Sequence, residues 1–332
     1  MITFNAMEPI KWGIIGPGKI ARSFADDLKL VNNATLNAVA SRNRERATIF
    51  AKDYGISHIF DNYDELFQSD EVEVVYIATP HVFHMDLAVQ ALEHGKHVLC
   101  EKPLGVNLIE VDKMIRTAKE NKRFLMEALW SRFNPTIQRV KAQTDQGKLG
   151  ELTYVNADFA FNALDRPRTS RLFNLDLAGG TLLDIGIYPV FLAYLFLGMP
   201  DEIKAVSNFD DYGTEIQTSL LFQYPKAQAI LNSSFTHNSR MSAEISGTKG
   251  TIILAPRFHE ARAYTIRSEK EQATFEIPTQ GRGYYYEIIE VNQCIRANKL
   301  QSELWSLSDS KNLISLLDQI RAITKISFPF ER

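Results

Sequence analysis

The stretch Ile14-Ile15-Gly16-Pro17-Gly18-Lys19-Ile20-Ala21 sets two glycines where an apolar run gives way to a helical pattern. Ile10 to Ile15 reads as a buried strand, and Lys19 to Leu30 carries Ile20, Phe24 and Leu28 at helical spacing. In a βαβ unit Gly16 allows the tight turn, and Gly18 lets the backbone approach a pyrophosphate. Ala21 then takes the place of a third glycine where helix meets strand. Amides at the helix N-terminus hold the anion. This reading makes Gly16, Pro17, Gly18, Lys19 and Ile20 candidate cofactor contacts. Ordinary strand-to-helix turns also use glycine, so the motif needs the context that follows.

A chain of 332 residues is long for one core, and two domains are the natural expectation. Its net charge of −3 gives no basic footprint for nucleic acid, so the expected partner is a small molecule. No apolar run approaches the roughly 18–20 residues of a membrane span. The N-terminus, with Glu8 and no basic region before an apolar segment, does not read as a signal peptide. These features predict a cytoplasmic protein with no membrane partner. Cys100 and Cys294 lie far apart without a C-x-x-C pattern, which predicts free thiols and leaves the Asn232-Ser233-Ser234 sequon without consequence.

From Ile10 to about Leu129, strand-like runs (10–15, 36–41, 72–78, 97–100 and 124–127) alternate with helical patterns. That alternation predicts a doubly wound parallel sheet, an α/β Rossmann domain over residues 1–128. Beyond Glu151 the strand-like stretches lengthen, at 153–161, 203–208, 218–224, 227–235, 242–246 and 250–254. Helical segments fall at 180–196, after Gly283 and at 307–323. Residues 129–332 are thus expected to form an α+β domain with a mostly antiparallel sheet.

The end of the second strand selects the dinucleotide, because an acid there accepts hydrogen bonds from a free ribose 2′-hydroxyl. This chain has Ser41 and Arg42 instead. A guanidinium binds a 2′-phosphate through charge-assisted bonds, so NADP is favoured, with NAD the alternative. Arg44 and Arg46 read as solvated charge, Arg46 being within reach of the same phosphate. Thr79-Pro80-His81 follows the next long strand, where a proline turn passes beside a nicotinamide. His81 and His84 lack a third ligand nearby, so they read as packed or capping groups, and no metal is expected. In Glu101-Lys102-Pro103 a lysine leaves a buried strand at the carboxyl edge of the sheet, where such sheets bind ligands. Its ammonium lowers the pKa of a neighbouring acid. Asp184 and Tyr188, four residues apart, share one face if their segment is helical. Two readings fit them: a carboxylate and phenol facing a cleft, or a capping aspartate beside a core tyrosine.

Together the glycine motif, Glu101-Lys102-Pro103 and Asp184-x-Gly-x-Tyr188 closely resemble the glucose-fructose oxidoreductase and inositol dehydrogenase family, Gfo/Idh/MocA, along nearly the whole chain. Met126 to Pro135, Ser170-Arg171-Leu172-Phe173, Leu304-Trp305 and Phe328-Pro329-Phe330-Glu331 resemble its branch of dimeric dihydrodiol dehydrogenases and NADP-dependent D-xylose dehydrogenases. The resemblance implies a homodimer built on the open sheet. It also implies that Glu101-Lys102 meets the nicotinamide ribose and substrate, and that the residue four after the aspartate moves the proton. Many members have histidine there; Tyr188 matches the dihydrodiol and glucose-fructose branches. The implied roles are Tyr188 as general acid/base, Lys102 as electrostatic activator and Asp184 as orienting carboxylate. Trp130, Phe173 and Arg171 are candidate substrate contacts, and Phe161 and Tyr284 to Tyr286 read more simply as core.

The expected activity is hydride transfer between NAD(P) and a secondary alcohol or carbonyl of a sugar, polyol or cyclic diol. A nucleotide-sensing regulator on the same fold is the alternative, since fold does not fix function. Retention of Lys102, Asp184 and Tyr188 argues for the enzyme.

Overall fold

The computed structural model describes residues 8–269 and 272–331; Met1 to Met7, on which the expectation of no leader partly rests, lie outside them. Two compact units divide the chain. The first holds Met1–Gly105, Ile109–Trp130 and Gln280–Ser308, and the second holds Val106–Leu108, Ser131–Thr279 and Asp309–Arg332. A single boundary between residues 128 and 129 therefore misses the return of residues 280–308 to the first unit.

In the first unit six parallel strands form one sheet: β1 (Ile10–Ile15), β2 (Ala34–Ala40), β3 (His58–Phe60), β4 (Val74–Ile77), β5 (His97–Glu101) and β6 (Leu125–Ala128). Their order is β3-β2-β1-β4-β5-β6, so the winding reverses between β1 and β4, the place where open α/β sheets leave a crevice. All of β4 and β6 is buried, as expected for strands covered on both faces. The connecting helices are α1 (Lys19–Leu28), α2 (Arg44–Tyr54), α3 (Tyr63–Gln68), α4 (His84–Glu93) and α5 (Leu108–Glu120). Asn43 caps α2 by accepting the Arg46 amide, and Gly55 at φ 72° ends it. In α1 the buried face is Ala21, Phe24, Ala25 and Leu28, with Phe24 stacked on Tyr76 of β4 at 3.7 Å. Ile20, expected on that face, is instead 36% exposed beside the glycine loop.

The second unit opens with α6 (Pro135–Asp145), capped by the Asn134 side chain, and β7 (Leu152–Ala160). After α7 (Ile187–Leu197) come β8 (Glu202–Phe209), β9 (Glu215–Gln223), β10 (Gln228–Ser234), β11 (Ala243–Gly247), β12 (Gly250–Leu254), β13 (Ala263–Arg267) and β14 (Gln272–Glu276). They form one sheet in the order β14-β13-β12-β11-β7-β10-β9-β8, antiparallel except for β7 with β10. On the outer face Val206 is 72% exposed and Ile230 44% exposed, set among Asn156, Ser219 and Asn232, so that face is mixed rather than broadly apolar. The stretch Leu175–Leu197 corrects one expectation: by length and composition it is apolar enough to cross a membrane. Its apolar window is 78% buried in the protein, the pattern of a core helix that is hydrophobic all round.

The chain then returns to the first unit with α8 (Tyr285–Arg296), and α9 (Leu307–Thr324) follows. Asp27, at the end of α1, accepts the amides of Arg282, Gly283 and Tyr285 at 2.8–3.0 Å. A carboxylate supplied from another helix thus satisfies orphan donors at the start of α8. Trp12 Nε1 donates to Asn292 Oδ1 farther along the same helix. Replacing Asp27, only 1% exposed, with alanine is expected to cost roughly 1.5–3 kcal/mol. The loss is read as a lower urea midpoint, and an unchanged midpoint would contradict this account of how α8 is anchored.

Candidate active site

The glycine loop of the first unit joins β1 to α1. Gly16 has φ 83°, and a Cβ there would lie 2.9 Å from the Ala78 carbonyl oxygen, so both its conformation and its closeness to the end of β4 demand glycine. Gly18 precedes α1, makes no side-chain cap, and has only Gly16 O at 3.9 Å from the position of a Cβ. Among the described residues no side chain caps the first amides of α1, and the space beside Gly18 is clear, the arrangement that lets a pyrophosphate approach the start of a helix. Ala21 is fully buried, filling the third glycine position with a methyl group.

Ser41 and Arg42 follow β2. The Ser41 hydroxyl accepts the Asn43 amide at 3.1 Å, which occupies it in shaping the turn. Arg42 is exposed, and its guanidinium lies 5.1 Å from the Phe83 ring centre, a cation–π contact that leaves its N–H edge available. Arg44 pairs with Asp61, in keeping with a surface role.

The turn after β4 carries Thr79, Pro80 and His81. Among the described residues the buried Thr79 hydroxyl has no hydrogen-bond partner, unlike most buried polar atoms. His84 is fully buried, with Nε2 2.9 Å from the Thr79 carbonyl oxygen and Nδ1 2.9 Å from that of Pro103. Burial pushes its pKa down. It spans two turns of the sheet edge, which makes it a packed histidine as expected.

Glu101 ends β5 and takes the Tyr76 hydroxyl hydrogen on Oε1 and the Lys102 amide on Oε2 at 3.2 Å. Burial, then the charge of Glu101, holds the Tyr76 phenol well above its ordinary pKa, so it stays a donor. The Lys102–Pro103 peptide is cis. Beyond it, Glu127 accepts the Leu104 amide and the Trp305 indole N–H, both at 3.0 Å. Half-buried Lys102 thus leaves a turn held by Glu101, His84 and Glu127. Sequence reasoning gave Glu127 no role; its position inside an apolar strand is the signal that could have found it. Trp130 stacks on Tyr284 at 4.8 Å, and a Cβ at Gly283 would lie 2.9 Å from its ring.

In the second unit Asp184 lies in a π-helical turn, Leu182–Gly186, that runs into α7, where Tyr188 is the second residue. The segment is helical as expected, but with a widened first turn, a feature frequent at functional sites. Asp184 accepts from Arg171 Nη1 at 2.8 Å; the aspartate side chain is 9% exposed and the arginine side chain 56%. Tyr188, 6% exposed, packs 5.6 Å from Phe159 and 5.2 Å from His259, which stack on each other at 4.4 Å. Phe173 packs against Phe235 at 5.7 Å and carries Arg168 at 4.9 Å. His259 was not foreseen, and nothing local in its sequence marks it. The structure therefore gathers the cofactor candidates, Lys102 and Trp130 in the first unit, and Arg171, Phe173, Asp184 and Tyr188 in the second.

Residues 10–129 match the family described as oxidoreductase, NAD-binding Rossmann fold, and residues 137–253 match the GFO/IDH/MocA C-terminal domain. Trans-1,2-dihydrobenzene-1,2-diol dehydrogenase of Mus musculus is 34% identical over 336 residues, covering 97% of this chain and 99% of that protein. The enzyme of the same name from Homo sapiens is 34% identical over 334 residues, with the same coverage. Among solved structures, the 3-ketoreductase KijD10 of Actinomadura kijaniata, in complex with NADP and TDP-benzene, superposes with a TM-score of 0.86 at 28% identity, over 96% of this chain and 98% of that one. Aldose-aldose oxidoreductase of Caulobacter crescentus, at 23% identity and a TM-score of 0.87 over 96% and 98% of the two chains, shares the fold. With two family matches spanning most of the chain and full-length relatives above 30% identity, this chain belongs to the GFO/IDH/MocA family and is an NAD(P)-dependent oxidoreductase.

Proposed function

We propose that the protein uses NADP to interconvert a secondary alcohol and its carbonyl on a sugar, polyol or cyclic diol. The observation that carries the reading is the uncapped start of α1 behind a clear Gly18, backed by Gly16 against the Ala78 carbonyl and by a buried Thr79 hydroxyl that has no partner among the described residues. Arg42 supports NADP over NAD, as does the bound NADP of KijD10. The names of the relatives, a diol dehydrogenase and a ketoreductase, support the substrate class. When bound, the dinucleotide supplies the hydride acceptor or donor.

The chain's own residues handle the proton. Tyr188 Oη removes the hydroxyl proton during oxidation and returns it during reduction. A free phenol has a pKa near 10, so Lys102 serves as the cation that favours phenolate. Asp184, fixed by Arg171, orients the reacting alcohol. Trp130, Arg171 and Phe173 are proposed substrate contacts. The working unit is a homodimer through the outer face of the eight-stranded sheet, supported by exposed Val206 and Ile230. A cytoplasmic setting is in keeping with Cys100 and Cys294, both buried free thiols.

Arg42→Ala is expected to weaken NADP binding by roughly 1.5–3 kcal/mol while leaving NAD binding nearly unchanged, read by fluorescence titration of the reduced cofactors. Equal affinity of the unaltered protein for NAD and NADP would reject the assignment. Tyr188→Phe keeps the ring and removes the proton-carrying oxygen, so kcat should fall by about 10²- to 10⁴-fold with NADP binding intact, on whichever member of a polyol and aldose panel is turned over. Lys102→Met should also lower kcat, and the two losses should combine to less than their product. Wild-type kcat in Tyr188→Phe, with chemistry rate-limiting, would move the proton role elsewhere. Light scattering at micromolar concentration should give twice the monomer mass, and a monomer would exclude the proposed assembly.

A further inference from the structure

We infer that Glu215 is a positioning residue for proton transfer, acting through the π-helical turn that carries Asp184 and leads into Tyr188. This rests on the roles proposed for those two residues. Glu215 begins β9 and is 1% exposed, a buried carboxyl remote in sequence from the turn it serves. Its Oε1 accepts the hydroxyls of Thr181 at 2.5 Å and Thr218 at 2.6 Å, and its Oε2 accepts the Leu182 amide at 2.9 Å. Thr181 gives its only hydroxyl hydrogen to Glu215, so Ser233, 2.9 Å away, is the donor in their contact. The side chain of Thr181 does not cap the helix it precedes, and a carboxylate from another strand takes that place. Negative charge at the first amides of a helix is electrostatically matched there.

Two glycines make room for this cluster. A Cβ at Gly180, whose φ is 135°, would lie 3.0 Å from Glu215 Oε2, and one at Gly186 would lie 2.9 Å from Ser233 Oγ. The π turn is thus bonded at its head to one buried polar group of four side chains, all of them 3% exposed or less, and passes close to Ser233 of that group at Gly186. A π turn is rare and is kept where the surroundings hold it. The side chain two residues beyond Leu182 is Asp184, and its approach to Arg171 depends on the rotation of this turn. Once rotated, the turn would carry Asp184 off Arg171 and re-aim Tyr188, the next helical residue but one after Gly186.

The test compares Glu215→Gln and Glu215→Asp with the unaltered protein. Glutamine keeps the shape but turns one acceptor into an N–H₂ donor facing a donor, whereas aspartate keeps the charge. Glu215→Gln is expected to lower kcat about tenfold or more, with NADPH affinity per folded molecule unchanged, and Glu215→Asp to recover part of the loss. The primary deuterium isotope effect on kcat should persist or grow, because the chemical step is the one slowed. A crystal structure of Glu215→Gln, which needs no turnover, should show the 2.8 Å contact of Arg171 with Asp184 opened. An undisturbed contact with wild-type kcat overturns the inference, as does a kcat loss matched by lost NADPH binding, the mark of general destabilisation. Failure of the underlying roles reads differently: Tyr188→Phe then keeps wild-type kcat and removes both proposals together.

Discussion

A carboxylate taken out of water must be met by hydrogen-bond donors, and this protein uses that requirement to fix its turns. Asp27 gathers three amides at the start of α8, and Glu101 takes the Tyr76 hydroxyl and the Lys102 amide. Glu127 holds the Leu104 amide and the Trp305 indole, while Glu215 holds the head of the π turn. Each acid comes from a regular element and each set of donors includes backbone of an irregular one. Removing such an acid leaves several buried donors unpaired at once, which is why these single side chains outweigh their count of contacts. Glu287 marks the limit of the device: it is fully buried, neither oxygen has a partner among the described residues, and burial, then Glu101 and Asp27, pushes its pKa well above the carboxylate range. A group so placed gathers no donors and does not serve as a further anchor.

The sequence exposed the features that depend on local pattern. Gly16 and Gly18 declared the cradle because the residue type itself is the requirement, and the alternation of apolar runs declared the parallel sheet. Glu101-Lys102-Pro103 and Asp184 with Tyr188 were legible through a family resemblance, since nothing in four-residue spacing tells a cleft from a core. β3 is only three residues long and half-buried, and β13 and β14 follow the last long apolar run, so neither periodicity nor hydrophobicity marked them.

What stayed hidden depends on partners distant in the chain. Asp27 meets residues more than 250 positions away, and the return of residues 280–308 to the first unit shows in no composition shift. The π turn is invisible because nothing local marks it, and the acid that accepts its first amide, Glu215, lies 33 positions beyond Leu182. Ile20 was misread for another reason: helical spacing identifies a set of apolar residues but not which of them the loop at the helix start leaves uncovered. Phe24 and Leu28 stay on the buried face, joined by Ala21 and Ala25, while Ile20 lies at its exposed margin.

The division between held and open groups follows the chemistry each must do. Turns that approach a cofactor gain from being fixed before it arrives, since ordering them on binding would subtract from affinity. His84 and the buried acids do this fixing through bonds to backbone and to other buried groups. The guanidinium groups are placed otherwise: Arg42 rests on a ring with its donors outward, and Arg171 keeps more than half of its side chain exposed while one donor steadies Asp184. Arginine suits that arrangement because its planar fork can hold one partner and still offer donors to another. The discrimination proposed for Arg42 would then rest with an exposed side chain set beside turns whose backbone is held by buried groups, so that a change there touches the ligand and not the turn.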